Sequence, residues 1–377
     1  MSGKVDSPTL RPRSLAFLRD LAKLSLTAAF ALASGWVFSQ FRLPVPYMLG
    51  SLIGVWVLGG LIRPAQPWLG VPRWFHIPVI LGLGVIVGGA IGPGFIASVL
   101  VWWPTTLVVI FATTIATVLG FLVLWRIRRR PWLQALLSAV PGGQAEVSVI
   151  ARDYVEKDYA VVLSHLVRVT FIFLSTPFIL ALVEGQVAVE QSYQVQDNLP
   201  GLFELPPRQI AEFLAMAFGS YALARLVRMP MPHLLGPMLI SLLLNALGWV
   251  ETIRLNEFVL LAQITIGGQI GARLSRVPFR EVLSYLIDGL LVSVVTLSLY
   301  AGFAVGVAVA FDMRLLDAYI GFVPGGLYEV TLLSVLFGLD VAFVAFHNTL
   351  RVVLIYIALP LVLARTQLAT GRRPSGG

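Results

Sequence analysis

Apolar residues run on along this chain without the polar interruptions of an amphipathic helix, and the polar residues collect in short clusters between the runs. Ten stretches read as spanning cores: Leu15 to Ser39, Tyr47 to Ile62, Ile77 to Ala97, Thr105 to Trp125, Tyr159 to Val183, Ile210 to Val227, Leu234 to Val250, Phe258 to Leu274, Val282 to Phe311 and Val341 to Leu363. A membrane helix needs about 20 predominantly apolar residues. Barrel strands show instead weak alternation over about ten residues. The pattern therefore predicts an all-α polytopic membrane protein.

The apolar runs also repeat in order. "LPVPYMLGSL" at Leu43 matches "MPMPHLLGPM" at Met229, and "VGGAIG" at Val87 matches "IGGQIG" at Ile266. "VPGGQAEVSV" at Val140 matches "VPGGLYEVTL" at Val323, and "DYAVVLSH" at Asp158 matches "DVAFVAFH" at Asp340. Arg168 and Pro177 then match Arg351 and Pro360. The expected organisation is a cytoplasmic tail (1–14), a first membrane repeat (15–183), a polar acidic linker on the periplasmic side (184–206), a second membrane repeat (207–363) and a cytoplasmic tail (364–377). The stretch Leu24 to Gly35 has the look of a signal peptide, but its counterpart in the second half is an ordinary spanning run, so it too is read as a helix.

Charge sets the orientation. The net charge of +8 would suit nucleic acid, but Lys and Arg sit in clusters at the ends of apolar runs, where the positive-inside rule accounts for them. Nucleic acid is thereby excluded as a partner. If the segment Pro131 to Lys157 dips into the membrane and returns to the same side, nearly all Lys and Arg fall on the cytoplasmic face. Each half then has five crossings and one re-entrant hairpin, and the odd number makes the halves inverted, the build of many secondary transporters. Both termini are expected in the cytoplasm of a bacterium, with the protein in its inner membrane. The chain has no cysteine, which removes disulfides and thiolate metal sites. No metal or other cofactor is expected.

Pro-Gly-Gly inside an apolar segment breaks the helix and leaves backbone N–H and C=O groups unpaired. Lipid tolerates that only where protein or a water-filled cavity surrounds the break. Gly142, Gly143, Gly325 and Gly326 let another group approach the backbone, and the helix that follows points a partly positive N-terminus at it, which suits an anion. Gln144 lies beside the first tip, and Gln269, in the second glycine run, is polar where the first run is not. Glu146 and Glu329 fall in the first turn after each break. Either they cap their own helices, or they carry a coupling cation or proton or meet an amine on the substrate, since ionisable groups at this depth default to function.

The next helices supply partners. Asp158 and Asp340 stand at helix starts and read as caps. Arg168 and Arg351 lie deep, where each is expected to meet a glutamate, a structural ion-pair partner or a substrate anion. His165 and His347, the repeat-matched histidines, suit proton shuttling or a plain buried hydrogen bond. The glycine runs read first as close helix packing.

The duplicated P-x-P-x-x-L-G (Pro44 to Gly50, Pro230 to Gly236) and V-P-G-G-x-x-E (Val140 to Glu146, Val323 to Glu329), with the His-plus-Arg helices behind them, resemble the AbrB family of bacterial integral membrane proteins. That resemblance implies a transporter-like membrane architecture. Family labels of ammonia monooxygenase and of regulator of gene expression give two alternatives. An oxygenase would need copper or iron on several His or carboxylate ligands, and no local His-x-His or Glu-x-x-His pair exists. A regulator would need a soluble DNA-reading module, so any effect on expression is indirect, through sensing or moving a metabolite. The sequence reading is a non-enzymatic secondary transporter of a small anionic or zwitterionic solute, coupled to H⁺ or Na⁺, with homo-oligomerisation left open.

Overall fold

The computed structural model describes residues 11–90, 94–142, 147, 151, 154–185, 190, 193–195, 197–201, 204–229, 231–252, 255–277 and 279–370. Among them no strand occurs. The helices are α1 (Arg11–Gln40), α2 (Pro46–Leu61), α3 (Arg73–Gly89), α4 (Phe95–Val101), α5 (Trp103–Leu122), α6 (Trp132–Ala139) and α7 (Asp158–Glu184). There follow α8 (Pro207–Leu226), α9 (Pro232–Ala246), α10 (Asn256–Ser275), α11 (Phe279–Ala310), α12 (Leu315–Phe322), α13 (Leu327–Leu336) and α14 (Val341–Thr370).

Among the described residues, five segments are long and apolar enough to cross a membrane: Leu15–Gln40, Trp103–Ile127, Asp158–Glu184, Leu283–Ala310 and Val341–Leu363. Helices α2, α3 and α9 are apolar but shorter. The protein is thus an all-α polytopic membrane protein. Its outward side chains agree, since Leu182 is 84% exposed and Val309 80%, a placement suited to lipid rather than water.

By its contacts the chain divides into residues 1–79 with 260–277, and residues 80–259 with 278–377. In the first unit α1 lies along α2, brought close by glycine. A Cβ on Gly50 would stand 2.6 Å from Gly35 Cα. The C-terminal part of α10 packs on α2 in the same way, for a Cβ on Gly267 would come within 2.6 Å of the Met48 carbonyl oxygen. Val45, the N-cap of α2, holds φ +43, a left-handed conformation costly for a β-branched residue.

In the second unit α8 lies along α9, and Gly84 of α3 approaches α9, with a Cβ there 2.7 Å from the Leu234 carbonyl oxygen. Both glycine runs therefore serve close helix contact. Met231, N-cap of α9, repeats the left-handed twist at φ +47. Two of the expected spans end early. Helix α3 stops at Gly89 rather than reaching Ala97. Helix α9 stops at Ala246, because Gly248 (φ +70) turns the chain with Gly248 N–H donating to Asn245 C=O and Trp249 N–H to Leu244 C=O, the Schellman closure that suits glycine.

The remaining helices pack in matched pairs. Helix α6 displaced by 183 residues becomes α12, and the start of α7 becomes the start of α14. Correspondingly, α5 lies on α6 as α11 lies on α12, α6 on α7 as α12 on α14, and α11 on α7 as α5 on α14.

Candidate functional site

Helices α6 and α12 each end two residues before a proline, at Ala139 and Phe322. Proline removes an N–H and clashes with the preceding turn, and the residue before it is pushed to extended backbone. Val140 (φ −54, ψ 122) and Val323 (φ −55, ψ 128) have that shape. Gly142 follows at φ +123, which a residue with a side chain seldom adopts. After the second break α13 starts at Leu327.

A helix end leaves four carbonyls without intrahelical donors. In α12 all four are supplied by two side chains one turn apart on α14. Asn348 Nδ2 donates to the carbonyls of Ile320 (3.3 Å) and Gly321 (3.1 Å). Arg351 Nη1 donates to those of Phe322 (2.8 Å) and Val323 (3.0 Å). Arg351 Nη2 donates to Asn348 Oδ1 at 2.6 Å, which holds the two side chains together.

The end of α6 is capped from α7 by the same device with one residue type changed. His165 Nε2 pairs with the Leu137 carbonyl at 2.8 Å, and Arg168 Nη1 donates to those of Ser138 and Ala139, both at 3.4 Å. Arg168 Nη2 donates to His165 Nδ1 at 2.8 Å. Because arginine only donates, Nδ1 must accept and the ring proton sits on Nε2, donating to Leu137. His165, Arg168, Asn348 and Arg351 are all at most 1% exposed.

The structural counterpart of His165 is therefore Asn348, three residues before the arginine, and not His347. His347 sits elsewhere. Its Nδ1 donates to the Phe343 carbonyl (2.8 Å) and its Nε2 meets Thr105 Oγ1 (2.9 Å). The rings of Trp102, Phe322, Phe343 and Phe346 surround it at centroid distances of 4.0–5.9 Å.

Arg168 and Arg351 meet carbonyls where the sequence suggested carboxylates. Each keeps its Nε without a hydrogen bond among the described residues. Tyr300 of α11 stands beside them, its ring centroid 5.9 Å from Arg351 Cζ and its hydroxyl donating to Thr113 Oγ1 of α5 at 3.0 Å. The breaks also cross over between the matched pairs. A Cβ on Gly142 would lie 3.3 Å from Ile355 Cδ1 and 3.8 Å from Arg351 Nε, and one on Gly325 3.5 Å from Ile172 Cγ2. Ile355 and Ile172 each follow an arginine by one helical turn.

Glu329 is half-buried at the start of α13, with its carboxylate turned against Gly326. Gly143, Gln144 and Glu146 lie outside the described residues. Gln269 belongs to the first unit, where its Oε1 accepts the Val71 N–H at 3.0 Å. Asp340 caps α14 by accepting the Phe343 N–H at 3.0 Å, and Asp158 accepts the N–H of Tyr159 at 2.7 Å.

Three contributors escaped the sequence reading: Asn348, Tyr300 and Asp288. Asp288 is a buried carboxylate of α11 that accepts from Arg128 Nε (2.6 Å) and Arg130 Nε (2.5 Å). A π turn, Val123–Ile127, closes α5 and swings those arginines toward α11. On the other helices, Glu184 at the end of α7 pairs with Arg314 ahead of α12, and that hydrogen bond holds the guanidinium more firmly protonated than usual.

Helices long and apolar enough to cross a membrane, two of which carry buried guanidinia that cap the ends of the short helices α6 and α12, define an all-α polytopic membrane protein. A family model described as transition state regulatory protein AbrB matches residues 56–367, and the chain belongs to the AbrB family. It is 24% identical over 360 residues to "Uncharacterized protein YhjN" of Bacillus subtilis (strain 168), covering 91% of this chain and 92% of that one. It is 25% identical over 332 residues to "Putative regulator AbrB" of Escherichia coli (strain K12), covering 86% and 91%.

Proposed function

We propose that this protein is a secondary transporter of a small anionic or zwitterionic solute, coupled to H⁺ or Na⁺. The observation that carries the reading is the pair Arg168 and Arg351, each 1% exposed with an Nε–H uncommitted. A buried charge with donors to spare in a membrane protein defaults to a ligand or ion role. The matched packing of α5–α7 and α11–α14 supports two inverted halves, and the Lys and Arg distribution supports an inner-membrane protein with cytoplasmic termini. On this reading Gly142, Gly143, Gly325 and Gly326 offer backbone groups to the solute. Glu146 and Glu329 carry the coupling cation, and access alternates as one bundle moves against the other. His165 is a positioning residue through Arg168.

The test is uptake by the purified protein in liposomes, with radiolabelled carboxylates and amino acids under imposed pH and Na⁺ gradients. Gradient-driven accumulation of one solute, lost in Arg351→Gln and uncoupled from the gradient in Glu329→Gln with Glu146→Gln, is expected. Accumulation that stays gradient-driven in the double glutamine variant would remove the coupling role. The name of the Escherichia coli relative suggests a second reading, in which an effect on gene expression follows from moving a signal metabolite. Solute binding without uptake would turn the first reading into a membrane sensor.

A further inference from the structure

The transport reading leaves unused a polar cluster at the membrane boundary, where α5 meets α11. We propose that Arg128, Arg130 and Ser284 form a binding site for the phosphate of an anionic phospholipid headgroup, independent of what the protein transports.

Two of the membrane-crossing segments fix the depth of the cluster, since one ends at Ile127 and another begins at Leu283. The π turn that closes α5 sends Arg128 and Arg130 onto α11, where they share both of their partners. Asp288 accepts Arg128 Nε on one oxygen (2.6 Å) and Arg130 Nε on the other (2.5 Å). Ser284 Oγ accepts the Nη2 of both, that of Arg128 at 3.2 Å. Tyr285 lies against Arg130, its ring centroid 4.6 Å from Cζ.

Donors outnumber acceptors in this cluster. A hydroxyl has two lone pairs and one proton to give. Both lone pairs of Ser284 Oγ are taken by guanidinia, so its proton must point away from them, and nothing among the described residues accepts it. Neither Nη1 makes a hydrogen bond among the described residues. Ser284 is exposed, and the arginine side chains are 29% and 20% exposed, so these donors can be reached. Two guanidinia on one carboxylate also leave one positive charge over. Exposed Arg126 and Arg129 add to it, neither in an ion pair among the described residues. Arg280 and Glu281, whose side chains lie outside the described residues, cancel each other in charge. An oxyanion suits such a set of donors.

The surroundings make that anion a lipid's. Tyr159 and Tyr285 meet edge to face at 5.9 Å, and Arg126 lies over the Trp125 ring at 4.6 Å, the company of aromatic and basic side chains that marks the headgroup layer. On α11, Leu283 and Ile287 stand one residue before and three after Ser284 and are 42% and 40% exposed, which gives acyl chains apolar surface beside the phosphate. A zwitterionic headgroup would bring its own cation to a place already in positive excess. The ligand class is therefore an anionic phospholipid such as phosphatidylglycerol.

The test is titration of the full-length protein in neutral detergent with fluorescently labelled phosphatidylglycerol, followed by anisotropy, with unlabelled lipids and inorganic phosphate as competitors. Displacement by phosphatidylglycerol, but not by phosphatidylcholine of the same chains or by millimolar phosphate, is expected. Ser284→Ala and Arg130→Gln should each weaken binding about tenfold, the scale of one hydrogen bond to a charged group. Asp288→Asn should unfold more easily yet hold the lipid at least as tightly, because a competing carboxylate is gone. Binding lost in step with stability would instead mark the cluster as structural and overturn the site. Equal displacement by phosphatidylcholine, or full-strength binding in Ser284→Ala and Arg130→Gln, overturns it as well. Displacement by phosphate assigns the donors to a free anion and removes the lipid, and a gain of about tenfold in Glu281→Gln would show that the chain's own carboxylate fills the place. Should Arg130→Gln fail to fold, Ser284→Ala and the order of the competitors still decide.

Discussion

Replacing Asn348 by leucine tests the side-chain cap on α12 without touching a charge. Leucine keeps the branched outline and heavy-atom count of asparagine with bulkier methyl ends, so no cavity opens, but Nδ2 disappears. The carbonyls of Ile320 and Gly321 lose their donors, and Arg351 Nη2 loses the acceptor it holds at 2.6 Å. Orphaning a buried polar group costs about 1–3 kcal/mol, so the two carbonyls alone predict a loss of about 2–6 kcal/mol. Unfolding in mixed micelles, followed by tryptophan fluorescence, reads that loss directly. Asn348→His provides the rescue, since histidine performs this role in the first half as His165. It should recover a substantial part of the stability, and His165→Asn should be the milder change on α7. The reasoning fails if the leucine variant stays within about 1 kcal/mol of wild type, or if histidine at 348 is no better than leucine.

Gly88→Ala and Gly271→Ala would each drive a methyl into a backbone carbonyl, of Met238 and Leu52 respectively, and should destabilise by about 1–3 kcal/mol in the same unfolding assay. Gly302→Ala and Gly306→Ala, with nothing within 4 Å, should be neutral or stabilise by up to about 1 kcal/mol. Asp288→Asn weakens the hold on Arg128 and Arg130, whose side chains are 29% and 20% exposed. With that exposure discounted, a thermal shift equivalent to about 1–3 kcal/mol is expected. At exposed Arg228, held at φ +54, glycine should add about 1 kcal/mol. Alanine at Gly142, held at φ +123, should instead cost about 1–3 kcal/mol.

The breaks were legible because Pro-Gly-Gly in an apolar run has few structural meanings, and the arginines because a guanidinium at that depth must find partners. Which partners they find was not. The sequence suggests carboxylates, and Arg168 and Arg351 meet the carbonyls that the breaks themselves set free. The histidine match misled for a related reason. Aligning His165 with His347 follows letter identity, whereas the helix surface follows position relative to the arginine. An amide and an imidazole both offer an N–H to a carbonyl, so Asn348 fills the place with no letter in common. The π turn that swings Arg128 and Arg130 toward Asp288 leaves no mark in composition, and Tyr300 reads as one more aromatic in an apolar run.

The order of these parts along the chain bears on how the protein is made. An arginine at the centre of a membrane helix raises its insertion free energy by roughly 2.5–3.5 kcal/mol. In both halves the helix that needs capping, α6 or α12, is synthesised before the helix that carries the arginine, α7 or α14. Each guanidinium therefore leaves the ribosome after its carbonyl acceptors have been made, and it is the half-helix that waits for its partner. Stalling a nascent chain shortly before Arg351 should accordingly leave α12 poorly anchored, and extending it past that residue should fix α12 in place.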